Sequence, residues 1–264
     1  MHQAAVAAAR AADLVVLVLG ENDEDGEGKD KTDLRLSEAS RSLLNAVSEV
    51  NTPTVLVLQN GRPLVLSEVT PKVDALLETW YAGEKSGQAI VNVLTGQVNP
   101  SGKLPISFPR SNGQLPIYYN HKKSNNGSYL DNSNQPLFAF GHGLSYSRFA
   151  YEGLKLEKPE IGKEGTQKVS VTITNTSDRA GDEIVQLYIQ DVYSSVSTPV
   201  LQLKGFQRVS LSPEESKVVS FYLSPEDLSL WNAAMERVVE PGEFKVMVGA
   251  ASNDIKLESA FYVK

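Results

Sequence analysis

The run Leu14-Val15-Val16-Leu17-Val18-Leu19, closed by Gly20, constrains the fold of this chain most. Six aliphatic or β-branched residues without polar alternation suit a strand covered on both faces, the kind found in parallel sheets flanked by helices. A second such run, Thr54–Leu58, ends at Asn60-Gly61. Between them Ser37 is a candidate N-cap for a helical pattern that places Leu43, Leu44 and Val47 on one face. Ala4–Ala12 reads as a helix leading into the first strand, Val73–Trp80 as a third strand and Ser86–Leu94 as a further helix. Strand, helix and strand at these lengths imply right-handed parallel crossovers, hence an α/β domain. Only about three strands are visible where an open parallel sheet usually has about 5–6. The missing strands are expected from another polypeptide or from sequence upstream.

Beyond residue 110 the pattern changes. Arg110–Tyr151 is rich in Asn, Ser, Gly, Pro and Tyr and reads as a long irregular connection. Then come period-two segments, Lys168–Thr174, Glu183–Gln190, Val218–Leu223 and Phe244–Val248, separated by turn residues. Several short alternating strands over about 100 residues argue an all-β sandwich of immunoglobulin or fibronectin type III kind. The expected organisation is therefore a partial α/β domain over 1–110, a linker over 111–151 and a β-sandwich over 152–264.

Composition removes several function classes. The 264-residue chain carries a net charge of −7 and no Lys/Arg block, so a nucleic-acid partner is not expected. There are no cysteines, which excludes disulfides and thiolate metal sites. No apolar run approaches the roughly 18 residues of a membrane span, so no membrane partner is expected. The Ala-rich start lacks the basic and Leu-rich regions of a signal peptide, and secretion is left undecided. No phosphate-binding fingerprint follows the first strand, and no cofactor is expected.

Two motifs carry a resemblance. Gly83–Pro109 reads GEKSGQAIVNVLTGQVNPSGKLPISFP, and Phe140-Gly141-His142-Gly143-Leu144-Ser145-Tyr146 follows later. Together they resemble the C-terminal half of glycoside hydrolase family 3, the β-glucosidase group, and the resemblance covers nearly the whole chain. In the sandwich it rests on Asn175, Arg179-Ala180-Gly181, Val185–Tyr188, Leu203–Phe206 and Glu240-Pro241-Gly242. It implies a retaining β-glycosidase acting on β-glucosides or short oligosaccharides. It also implies that the N-terminal barrel, which carries the aspartate nucleophile in relatives, is a partner absent from this sequence.

Retaining glycosidases need two carboxyl groups roughly 5–5.5 Å apart, one a proton donor and the other the nucleophile. The acidic loop Gly20–Lys31 lies at the carboxyl end of the first strand, where open α/β sheets bind ligands. The family places its acid/base glutamate on this loop in a Gly-Glu-Gly/Ala context before a basic residue. Gly26-Glu27-Gly28 with Lys31 matches best, and Asp33-Leu34-Arg35-Leu36-Ser37 continues the match, so Glu27 is the expected general acid. Counting from Glu21 forwards shifts the frame by one residue, which keeps Glu24 and Glu21 as alternatives. Asp23, Glu24, Asp25 and Asp30 would raise the pKa of a buried Glu27, while Lys29 and Lys31 oppose that shift. Without the resemblance, a solvated surface loop explains the same residues.

A calcium loop is the rival use. Asp23, Asp25, Glu27 and Gly28 imitate the opening of an EF-hand, but its twelfth position is Leu34 and the flanks are not two helices. No metal site is therefore expected. Asn60–Pro63 and Trp80-Tyr81 close the second and third strands; the resemblance puts the former beside a sugar pocket, whereas a turn and core packing explain both. His142, between two glycines, reads as part of a structural hinge between domains. Asn126-Gly127-Ser128 and Asn175-Thr176-Ser177 are glycosylation sequons if the chain is secreted by a eukaryote. A second functional class also fits: a non-catalytic carbohydrate-associated scaffold or binding module, or half of a split enzyme. Glucose, xylose and N-acetylglucosamine are not distinguished.

Overall fold

The structure is a computed structural model that describes residues 2–22, 25, 28–123 and 129–264. It divides into two compact units. Among the described residues the first comprises those up to Gln97, Phe108–Ile117 and 129–138; the second comprises Val98–Ser107, 118–123 and Ala139–Lys264.

The first unit is α/β. It contains α1 (Gln3–Ala11), β1 (Val15–Gly20), α2 (Glu38–Ser48), β2 (Thr54–Gln59), β3 (Ala75–Glu78) and α3 (Ser86–Leu94). Ser37 caps α2 as expected: its side chain accepts from the Ser40 amide at 3.2 Å, filling one of the orphan donors of the first turn. The strands form a parallel sheet in the order β1-β2-β3, with Val15 opposite Thr54 and Val55 opposite Ala75. In β2 the residues Leu56, Val57 and Leu58 are fully buried, so both faces of this strand are covered.

The edge strand differs from the reading of its sequence. Leu17 points into the core, but Leu14, Val16 and Val18, which share the opposite face, are 53%, 46% and 52% exposed. β3 is shorter than its pattern suggests at both ends, and its C-terminal end is set by Trp80, which adopts φ 50°, a left-handed conformation that ends an extended strand and strains a bulky residue.

The second unit is a two-sheet β-sandwich. Its strands are β4 (Phe149–Leu156), β5 (Glu160–Ile161), β6 (Gln167–Asn175), β7 (Gly181–Asp191), β8 (Gln202–Leu211), β9 (Ser216–Leu223), β10 (Leu230–Trp231), β11 (Arg237–Val238), β12 (Gly242–Ala251) and β13 (Asp254–Val263). One sheet runs β5-β13-β12-β7-β8 and the facing sheet β4-β6-β9, while β10 and β11 form a small hairpin. Alternate residues Val169, Val171 and Ile173 of β6 meet Val185, Leu187, Ile189, Val246, Val248 and the stacked rings of Phe244 and Phe261 in one core. β4, β8 and β13 are not among the strands expected from sequence. Asn175 is fully buried and donates to the carbonyls of Arg179 and Leu211, so this sequon is a structural corner. The Asn126 sequon lies outside the described residues.

The second unit also holds the glycine pair around His142. Gly141 sits at φ 82°, and a Cβ on Gly143 would lie 2.1 Å from the Gly102 carbonyl oxygen, so the two segments touch through main chain. Burial pushes the His142 imidazole below its usual pKa, and the charge of Lys103 acts in the same direction. Among the described residues no helix is long and apolar enough to cross a membrane.

Candidate active site

The carboxyl ends of β1, β2 and β3 bring three short segments together in the first unit. β1 delivers Glu21, whose amide donates to the Gln59 carbonyl at 2.8 Å and so prolongs the sheet pairing by one residue. The Glu21 carboxylate is nearly buried, with 4% of its side chain exposed. Burying a carboxylate is costly unless it is paired and hydrogen-bonded. Arg62, from the turn after β2, supplies the partner: its Nε lies 3.0 Å from Oε1 and donates to Oε2 at 3.3 Å. The Gly61 amide donates to Oε2 at 3.2 Å, and Lys31 Nζ stands 3.8 Å from Oε1.

The same guanidinium reaches the acidic loop. Its Nη1 donates to the Lys29 carbonyl at 3.2 Å and its Nη2 to the Asp25 carbonyl. The Asp25 carboxylate pairs with Lys31, and that hydrogen bond is the main reason its pKa lies below the ordinary carboxylate value. In the rival calcium reading Asp25 is a ligand; here its carboxylate and carbonyl both face cationic side chains. Among the described residues no group of three or more His, Asp or Glu could hold a metal ion.

Of the sequence candidates for the general acid, Glu21 therefore sits in an ion-paired, nearly buried position. Glu24 and Glu27, with Asp23 and Gly26, lie outside the described residues. The loop's exit is fixed farther on. Asp33 accepts from the Arg35 guanidinium and from Asn112 Nδ2, which holds its carboxyl well below the usual range, while the Leu34 amide donates to Asn112 Oδ1 at 3.0 Å.

Glu78 at the end of β3 completes the cluster, and the sequence reading did not single it out. Its Oε1 accepts from the Trp80 amide at 2.9 Å, which supports the left-handed turn at Trp80. Its Oε2 accepts from Asn60 Nδ2 at 3.2 Å; that same amide also donates to the Arg62 carbonyl at 2.9 Å. Burial pushes the Glu78 carboxyl up to about 7, the hydrogen bonds from Trp80, Asn60 and Thr79 oppose the rise, and the negative charge of Glu21 adds to it. The only sequence signal was a lone carboxylate ending an apolar strand. Trp80 packs its ring on Phe108 at 5.8 Å, so core packing accounts for its side chain. Tyr81 is 56% exposed, and a Cβ at Gly61 would meet its ring at 2.7 Å.

This arrangement offers a nearly buried ion pair, a carboxyl titrating near neutrality and an acidic loop at one edge of a parallel sheet. Edges of this kind are where α/β domains bind ligands. The family model for the glycosyl hydrolase family 3 C-terminal domain matches residues 1–146, and that for a fibronectin type III-like domain matches residues 183–252. The chain belongs to glycoside hydrolase family 3, of which it represents the C-terminal region. It is 44% identical to a periplasmic β-glucosidase of Salmonella typhimurium, over 97% of this chain and 35% of that protein. It is also 44% identical to a β-xylosidase of Formosa agariphila, over 97% of this chain and 36% of that protein. A solved β-glucosidase from Listeria innocua in complex with glucose superposes with a TM-score of 0.94 at 41% identity, covering 98% of this chain and 38% of that one. The chain thus spans about a third of the length of the curated relatives it matches. These relatives are glycoside hydrolases, as the motif resemblance implied.

Proposed function

We propose that this chain is the part of a retaining β-glycosidase of β-glucosidase type that supplies the general acid/base, with Glu27 in that role. The observation that carries the reading is the position of the acidic loop: in a family 3 chain it leaves the carboxyl end of β1, and its flanks are tied to the neighbouring strand end. An aspartate in an N-terminal barrel would be the nucleophile, and the chain's one-third share of its relatives' length leaves room for that domain.

In the first step the Glu27 carboxyl gives its proton to the glycosidic oxygen while the barrel aspartate bonds to the anomeric carbon, releasing the aglycone. In the second step the Glu27 carboxylate takes a proton from water as that water attacks the same carbon. The aspartate leaves, and the sugar departs with retained configuration. A β-glucoside is the expected substrate: the Listeria innocua enzyme has been solved with glucose, and a mutant of it with laminaribiose. Choice between glucose, xylose and N-acetylglucosamine is assigned to the barrel.

The test combines this chain with a family 3 barrel and compares Glu27 with Glu27→Gln. General acid catalysis contributes about 10²–10⁴-fold, so the variant should lose that much on aryl β-glucosides with poor leaving groups. In kcat/KM it should lose far less on dinitrophenyl glucosides, whose leaving group needs no proton, while azide should restore the turnover lost in the second step, where the base is missing. Equal activity of both forms on the poor leaving groups would refute the assignment.

A further inference from the structure

The Arg62 guanidinium uses all three of its nitrogens on one loop. Nε engages Glu21, Nη2 donates to the Asp25 carbonyl and Nη1 to the Lys29 carbonyl, so contacts recur every four residues along the acidic segment. The Asp25 amide donates to the Asn22 carbonyl at 3.0 Å, and the Asn22 amide to Asp25 Oδ2 at 3.3 Å.

The clamp is itself held in place. The Arg62 carbonyl accepts from fully buried Asn60, the preceding Gly61 amide donates to Glu21, and Asn60 is in turn tied to Glu78 on β3. A surface ion pair of arginine is usually worth little. This one is different: its carboxylate is nearly buried, and two of its acceptors are main-chain carbonyls that no other described donor reaches. Lysine could not substitute, since an ammonium has no planar fork to span three separate acceptors.

We infer that Arg62 is a positioning residue that fixes the acidic loop on both sides of position 27, at Asp25 and at Lys29. Its catalytic meaning rests on the assignment of Glu27 as general acid, whereas the clamp itself does not. Holding a proton donor in its productive geometry is a large part of its effect, so an anchor beside it acts on turnover without touching substrate.

The experiment is hydrogen exchange by mass spectrometry on the purified chain, comparing peptides covering 20–32 and 54–59. In Arg62→Ala the loop peptide should exchange about tenfold to a hundredfold faster, as expected for losing charge-assisted bonds, with the β2 peptide unchanged. Millimolar guanidinium should restore part of the protection. Arg62→Lys should fold, keep the charge and still leave the loop faster than in the unaltered chain, and this comparison decides the matter if Arg62→Ala does not fold. The inference fails if loop exchange is unchanged in both variants. It fails equally if loop and β2 loosen together without guanidinium rescue, or if the unaltered loop already exchanges like free peptide. Glu27→Gln should leave loop protection as it is, so loss of the Glu27 assignment and loss of the clamp give different results.

Discussion

Glu78 makes the stability of the first unit depend on pH in a direction opposite to that of an ordinary salt-bridged carboxylate. Its carboxyl titrates near 7 in the folded chain and near the ordinary 4.5 when unfolded. Below about 4.5 both states hold the proton and the group contributes no pH dependence. Between 4.5 and 7 the folded state keeps a proton that the unfolded state has released, so stability falls as pH rises. Above about 7 both are ionised and the cost is constant. At about 1.4 kcal/mol per pH unit the full difference would be about 3 kcal/mol. Glu78 is only partly buried, and solvent screening reduces this to about 1.5–2 kcal/mol. The assay is urea unfolding at pH 5, 6, 7 and 8, followed by tryptophan fluorescence in a Trp231→Phe background. That leaves Trp80, packed on Phe108 two residues from Glu78, as the reporter. The difference in unfolding free energy between this protein and its Glu78→Gln variant should move by about 1–1.5 kcal/mol in favour of the variant from pH 5 to pH 8, about three quarters of the full change, because part of it falls below pH 5. A difference that stays flat across that range would refute the reasoning.

Further outcomes follow from other parts of the molecule. Val16→Lys with Val18→Lys on the open face of β1 should leave stability within about 0.5 kcal/mol while lowering self-association, read by light scattering during gel filtration. Ile173→Ala, at a fully buried sandwich position, should cost about 2–5 kcal/mol in urea unfolding followed by far-ultraviolet circular dichroism. Gly143→Ala should cost at least about 1–3 kcal/mol in the same assay, because its Cβ would overlap the rigid Gly102 carbonyl rather than a mobile side chain.

Much of the fold was legible because local pattern and tertiary environment agree. Ser86–Leu94 is helical at the bounds its spacing suggests, Ser37 caps its helix, and the continuous Thr54–Leu58 run is buried on both faces. Burial also sets the limits of that reading. Val16 and Val18 look as apolar as Val57, yet they sit on an edge strand and face solvent. Trp80 has high strand propensity, but its left-handed backbone stops β3, and the Glu78 contact that supports it is a tertiary fact. β8 lacks clean alternation: Leu203, Lys204 and Gly205 are all half-buried and Phe206 is exposed, so period-two analysis does not find it.

The candidate site shows the same division. The acidic loop announces itself by charge and by its place after a buried strand. Arg62 and Glu78 do not, because their meaning lies in partners some forty and twenty residues away that only the sheet brings within reach. A residue pair of that kind leaves no local spacing to read. The Asn175 sequon fails for the converse reason, since a surface motif in sequence is a buried corner in the fold.

The central claim is that this chain carries the acid/base half of a retaining site and not its nucleophile. The most direct test is hydrolysis of an aryl β-glucoside by the purified 264-residue chain, first alone and then with a family 3 barrel added. The account predicts little or no turnover alone and turnover on addition of the barrel that depends on Glu27. Substantial turnover by the chain alone, abolished by Glu27→Gln, would mean that the whole site is already present and would contradict it.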